Sequence, residues 1–150
     1  PRCTETLDAL NAHDFIPVRA LKDLPLGMTS HVTYDALDPD VPATESPRVL
    51  AYLRQDLGFA GLLMTDDIGM NALGGTLASR SAKAIAAGCD LVLHCTGDLT
   101  EMQAVTEAAG TLQGPALLRA DAALQARQNP GTIDIAAIAA DFDALNNPRV

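Results

Sequence analysis

At 150 residues the chain is long enough for one domain with a real core, and with 48% apolar residues it is neither disordered nor fibrous. Its net charge of -9 argues against nucleic acid or anionic membrane as a partner, because both attract basic surface. No apolar run approaches the roughly 18 to 20 residues of a membrane span. Trp is absent and aromatic residues make up 3%, so the core must be built from Ala, Leu, Val and Ile. Cys3, Cys89 and Cys95 are odd in number and lack metal-binding spacing. Cys89 and Cys95 flank an apolar run, which predicts reduced core thiols and a cytoplasmic setting.

The predicted elements alternate. Residues 4–21 read as helical, with a break near Asp14 and Pro17 in the first turn of a second short helix. "LPLGMTSHV" (24–32) reads as a strand whose ordered part is Gly27 to His31. "YDALDPDVPATES" is a loop. Ser46 is then an N-cap and Pro47 the first position of a helix closed at Gly58. Residues 62–65 form a continuous apolar strand of the kind buried on both faces. Gly74-Gly75 marks a loop, residues 77–87 a helix ended by Gly88, and "CDLVLHC" (89–95) a third strand. Helices are predicted over 99–109, 115–128 and 134–145, with a turn at Pro130-Gly131.

Strands alternating with helices predict an α/β fold with a parallel sheet. Such sheets place ligands at the carboxyl ends of their strands. Here those ends read "TSH", "TDD" and "HCTG", all polar and chemically able. A closed barrel of eight such units needs about 200 to 250 residues or more. The chain supplies roughly three units, and an isolated sheet of that size leaves apolar edges that invite self-association.

Asp66 and Asp67 are the leading chemical candidates. Adjacent strand residues point to opposite faces, so the two carboxylates are not expected to share one site. One faces a pocket as a catalytic group while the other caps the loop; the alternative is two loop aspartates capping backbone amides. His31, at the end of a neighbouring strand, either contacts substrate or serves as a structural hydrogen-bonder. His94 reads as a core histidine and His13 as a surface one. Asp66, Asp67, His31 and His94 are metal-ligand types, but no HExxH or CxxC spacing supports a metal. No phosphate-binding loop and no G-x-S-x-G elbow appears.

"GFAGLLMTDDIGM" (58–70) resembles the nucleophile strand of glycoside hydrolase family 3, in the bacterial β-N-acetylhexosaminidase branch that recycles cell wall. There a Ser/Thr-Asp-Asp-hydrophobic-x-Met run follows Gly-Phe-x-Gly. "NAHDFIPVRAL" resembles that branch's helix before strand six. "MTSHVTYDALDPDVPATESPRVL" resembles strand six and the loop after it, and "AKAIAAGCDLVLHC" strand eight with its preceding helix. The resemblance spans residues 7 to 97 in order and spacing; the tail matches only as helix.

The resemblance implies a retaining hydrolase on a (β/α)8 TIM barrel. Asp66 would be the nucleophile, His31 would line the sugar pocket, and Asp67 would support by tying down the loop to Met70. It implies no metal and no cofactor, and substrates among N-acetylglucosamine-containing cell-wall saccharides. The branch's acid/base histidine, in a motif like K-H-x-P-G-H-G, has no counterpart in these residues. Residues 1–150 are therefore expected to be the C-terminal portion of one barrel domain, with strands six to eight and extra C-terminal helices. Such a piece would be inactive alone, and the start at Pro1 rather than Met agrees.

Overall fold

The computed structural model describes residues 1–147. Five strands and seven α-helices follow in chain order among them: β1 (Arg2–Cys3), α1 (Leu7–Ala12), α2 (Ile16–Ala20), β2 (Leu26–Met28), β3 (Thr33–Tyr34), a 3-10 turn (Ala43–Glu45), α3 (Pro47–Gln55), β4 (Leu62–Asp67), α4 (Leu77–Ala87), β5 (Leu91–Leu93), α5 (Leu99–Ala109), α6 (Gly114–Gln125) and α7 (Ile135–Asn146). The α/β alternation is as expected. The helix starts follow local chemistry: Ser46 accepts the Val49 N–H at 3.1 Å with Pro47 behind it, and Thr76 accepts that of Ser79 at 3.2 Å. Gly88, at φ 119°, ends α4 in a left-handed conformation that a side chain would oppose.

The main sheet is parallel, in the order β2-β4-β5. Leu26 lies beside Leu62 and Met28 beside Met64 on one side of β4, and Met64 lies beside Leu91 on the other. Strand order follows chain order, without the reversal that marks a doubly wound sheet. β1 and β3 form a separate parallel pair, Arg2 beside Thr33, which the sequence did not suggest.

Several expected boundaries shift. β2 stops at Met28, so His31 lies in the turn beyond the strand rather than at its last position. β4 runs on to Asp67 and carries both aspartates within it. β5 covers only Leu91–Leu93, and His94 lies just past it. Past β2 one more backbone bond runs from the Thr29 N–H to the Met64 carbonyl at 2.9 Å, and beyond it His31 and His94 are held through their side chains. Cys89 is a buried thiol, pushed up to about 12 by burial and by the adjacent Asp90, whereas Cys95 is exposed and not a core residue.

One core cluster packs the sheet against α3, α4 and α5 through Leu50, Phe59, Leu63, Ile68, Ala84 and Val105. A second, including Leu10, Phe15, Leu37, Val49 and Leu57, joins the N-terminal helices to α3. Phe59 needs two glycines beside it. A Cβ on Gly27 would lie 2.6 Å from its Cζ, and one on Gly61 would lie 2.9 Å away and strike the Leu24 carbonyl. The far side of β2 is less covered: Leu26 and Met28 are half exposed. The apolar residues of α7, among them Ile135, Phe142 and Leu145, face solvent. Among the described residues no helix is long and apolar enough to cross a membrane.

The amino ends of β4 and β5 are held by one buried carboxylate. Asp90, its side chain 2% exposed, accepts the Leu63 N–H at 2.9 Å, Arg54 from α3 at 2.9 Å, and Arg119 from α6 at 2.9 and 2.5 Å. Burial pushes its pKa up, but the Arg119 hydrogen bonds, the Leu63 amide and the two guanidinium charges outweigh this and hold it below the usual carboxylate range. Removing the anion strands two cations, so Asp90→Asn should cost about 3–5 kcal/mol in urea unfolding at pH 7. A depressed folded pKa stabilises fully above the unfolded value, about 3.9, and that contribution disappears as pH falls through the lower folded value. The gap between wild type and Asp90→Asn should therefore hold from neutral pH down to about 4 and narrow below it.

Candidate active site at the carboxyl end of β4

β4 is the central strand, and its carboxyl end departs from regular pairing. Met64 pairs with Leu91 and Asp67 with Leu93, so three steps along β4 match two along β5. The extra residue is a β-bulge falling at Thr65 and Asp66. A bulge leaves one ladder group unpaired and re-aims the side chains around it. Here Thr65, fully buried, supplies the missing bond: its hydroxyl oxygen accepts the Leu93 N–H at 2.9 Å. The ladder resumes when Ile68 N–H donates to the Leu93 carbonyl at 2.9 Å. Asp66 therefore lies in the offset stretch, and Asp67 stands where pairing with β5 resumes.

The two carboxylates differ in their surroundings. Asp66 is half-buried; its Oδ1 accepts the Asp67 N–H at 2.8 Å, and its Oδ2 accepts no hydrogen bond from the described residues. Asp67 turns to the loop. Its Oδ1 accepts the Gly69 N–H at 2.9 Å, and its carbonyl accepts the Met70 N–H at 3.1 Å. Asp67 therefore closes the turn that carries Met70, which is itself exposed.

His31 is 4% exposed and has both ring nitrogens engaged. Nε2 is 2.9 Å from the Asp67 carbonyl and Nδ1 is 2.8 Å from the Thr44 hydroxyl. A carbonyl only accepts, so Nε2 carries the proton. The one Thr44 hydroxyl proton serves either Nδ1 or the Ser30 carbonyl, 3.1 Å away, and the Thr29 hydroxyl lies 2.7 Å from the same oxygen. Neither nitrogen is left for a ligand. His31 is thus bonded on both sides, to the Asp67 carbonyl of β4 and to the Thr44 hydroxyl.

His94, its side chain 5% exposed, stands on the other flank. Nε2 is 3.1 Å from a Glu101 carboxylate oxygen and 2.8 Å from the Thr96 hydroxyl; Nδ1 lies 3.8 Å from Asp67 Oδ1. Thr96 donates to the same Glu101 oxygen at 2.6 Å, so Nε2 again carries the proton. His94 thus sits in a polar cluster past the strand rather than as a satisfied core histidine within it, and its Nδ1 has no hydrogen-bond partner in the protein. His13 is exposed, as expected. Among the described residues no group of three or more His, Cys, Asp or Glu side chains is arranged to hold a metal ion.

Three residues here escaped the sequence reading. Thr44, fully buried, links Thr29, His31 and the Ser30 carbonyl. Thr65 completes the bulge. Arg80, in the first turn of α4, donates from Nη1 to the carbonyls of Ile68 at 3.0 Å and Met70 at 3.1 Å. Its only signal was an arginine standing among small residues on a covering helix.

The result is a carboxylate held at a parallel strand's carboxyl end by backbone and neighbouring side chains, with one oxygen uncommitted. A rigid anion of that kind can act as a nucleophile or stabilise developing positive charge.

The family described as Glycosyl hydrolase family 3 N terminal domain matches residues 1–126. The chain is 43% identical over 100 residues to a beta-hexosaminidase of Alkalilimnicola ehrlichii, covering 63% of this chain and 28% of that protein. It is 39% identical over 116 residues to a beta-hexosaminidase of Stenotrophomonas maltophilia, covering 74% and 33%. The chain thus spans about a third of the length of these curated relatives. Among solved structures, a family 3 beta-N-acetylglucosaminidase from Paenibacillus superposes with a TM-score of 0.71 at 25% identity, over 90% of this chain and 29% of that one. Native NagZ from Neisseria gonorrhoeae superposes with a TM-score of 0.66 at 25% identity, over 97% and 40%. The match over residues 1–126 takes in every element of the site, and the chain belongs to glycosyl hydrolase family 3.

Proposed function

We propose that this chain is the C-terminal part of a family 3 barrel, carrying strands six to eight, in a retaining hydrolase that releases terminal β-linked N-acetylglucosamine. The observation that carries the reading is Asp66: a half-buried carboxylate on a pinned bulge, with Oδ2 uncommitted. The names of the relatives support the substrate class. The one-directional strand order and the half-exposed Leu26 and Met28 support a sheet that continues beyond β2.

The chemistry follows from the geometry. Asp66 Oδ2 attacks the anomeric carbon while an acid protonates the departing glycosidic oxygen. The bond to the leaving group breaks as the bond to Asp66 forms, through an oxocarbenium-like transition state that the fixed anion stabilises. Water then attacks the glycosyl-enzyme, frees the sugar with retained configuration, and restores the carboxylate. On this reading the acid belongs to the part of the barrel outside these residues. Asp67 and His31 act on the strand end rather than on the sugar. Muropeptides from the cell wall are the proposed natural substrates. The free thiols Cys3, Cys89 and Cys95 support a cytoplasmic setting.

Asp66→Asn in the full-length protein keeps the shape and removes the nucleophile. We expect kcat on an aryl β-N-acetylglucosaminide to fall by at least about 10⁴-fold, with the thermal midpoint unchanged. A near-normal rate would end the assignment. Hydrolysis absent from the wild-type full-length protein, together with concentration-dependent size, would favour a self-assembling module joined through its sheet edges instead.

A further inference from the structure

Arg80 has no part in the chemistry above, yet it reaches from α4 to the loop behind the nucleophile. It donates to two carbonyls of that loop, Ile68 at 3.0 Å and Met70 at 3.1 Å, through the same Nη1. Ile68 Cα is two residues from Asp66, within about 7 Å along even a fully extended chain. Ile68 is itself 0% exposed and seated in the core, and its N–H is taken by Leu93. Asp67, between them, is held through its carbonyl by His31 at 2.9 Å and through its carboxylate by Gly69. Every residue from Asp67 to Met70 is thus fixed by at least one bond, and the Ile68 and Met70 carbonyls are fixed by Arg80.

Arg54 likewise donates to two backbone carbonyls, but it also meets a carboxylate, Asp90. Among the described residues Arg80 forms no ion pair, and its Nε is buried without a protein partner. Guanidinium groups ordinarily meet carboxylates in bidentate fashion. This one is directed at backbone, where a strong two-proton donor can fix both ends of a short turn at once. Arg80 also stands in the first turn of α4, and its own N–H donates to the Thr76 carbonyl at 2.9 Å. The clamp is therefore mounted on a capped, packed helix rather than on a second loop.

Resting on the hydrolase reading, we infer that Arg80 is a positioning residue: it sets the reach of Asp66 toward the anomeric carbon by fixing the Ile68–Met70 turn. Rate depends steeply on placement, since a displacement of about 1 Å can cost about 100-fold while ground-state binding is little changed.

The test uses the full-length protein with Arg80→Gln and Arg80→Lys. For Arg80→Gln, kcat on an aryl β-N-acetylglucosaminide should fall by about 10- to 100-fold. The inhibition constant of free N-acetylglucosamine should stay within about twofold of wild type, because uniform binding is untouched. Arg80→Lys, which keeps a charged donor, should recover part of kcat. A kcat for Arg80→Gln equal to wild type would overturn the role. So would a parallel loss of kcat and N-acetylglucosamine binding with no recovery by lysine, which marks a general loss of structure. Should Arg80→Gln fail to fold, Arg80→Lys alone decides: lowered kcat with unchanged inhibition supports positioning, and unchanged kcat refutes it. A wild-type protein with no hydrolysis would instead overturn the hydrolase reading itself.

Discussion

A carboxylate can serve as a nucleophile only if the protein holds it still without using it up. The bulge at the end of β4 meets both demands. The extra residue between Met64 and Asp67 puts Asp66 in an offset stretch of the strand, and the Thr65 hydroxyl takes the Leu93 N–H there. Asp66 spends one oxygen on its neighbour's amide and keeps the other. The rest of the site serves that arrangement. His31 and Asp67 fix the turn beyond it, and Thr44 fixes His31 in turn. The core beneath, with Leu63 and Ile68 almost wholly buried, makes β4 a rigid base.

The two ends of β4 divide the work. At the amino end, Asp90 is fully committed to Arg54, Arg119 and the Leu63 amide, and its charge is spent on joining α3 and α6 to the sheet. At the carboxyl end, Asp66 meets no cation among the described residues and keeps an unused oxygen. Both groups are acidic and both adjoin strands of one sheet, so residue type alone does not separate stability from chemistry. Commitment of the oxygens does. The proposed nucleophile stands at the carboxyl end of its strand, where parallel sheets generally place their chemistry.

Much of this was legible in the sequence, for identifiable reasons. The helix start at Ser46-Pro47 follows from local capping, which needs no distant partner. Residues 62–65 read as a buried strand because the apolar run continues up to Thr65. What escaped depends on distant pairing. The bulge arises only when β4 meets β5, and β1 with β3 are two-residue strands joined by a contact some thirty positions apart. His31 carried the right signal, a polar residue at a strand end, but its two ring bonds come from Thr44 and Asp67, which the chain order separates. Arg80 was invisible because its acceptors are carbonyls, and every residue has one.

The central claim is that Asp66 forms the bond to the sugar. It is tested most directly by trapping that bond in the full-length protein with a 5-fluoro-N-acetylglucosaminyl fluoride. The ring fluorine slows both steps by destabilising the oxocarbenium-like transition state, and the good leaving group lets the first step outrun the second, so the glycosyl-enzyme accumulates. Proteolysis and mass spectrometry then locate the label. The account predicts one glycosyl group, esterified to Asp66. A label on Asp67 or any other residue, or turnover of the reagent with no covalent adduct, would contradict it.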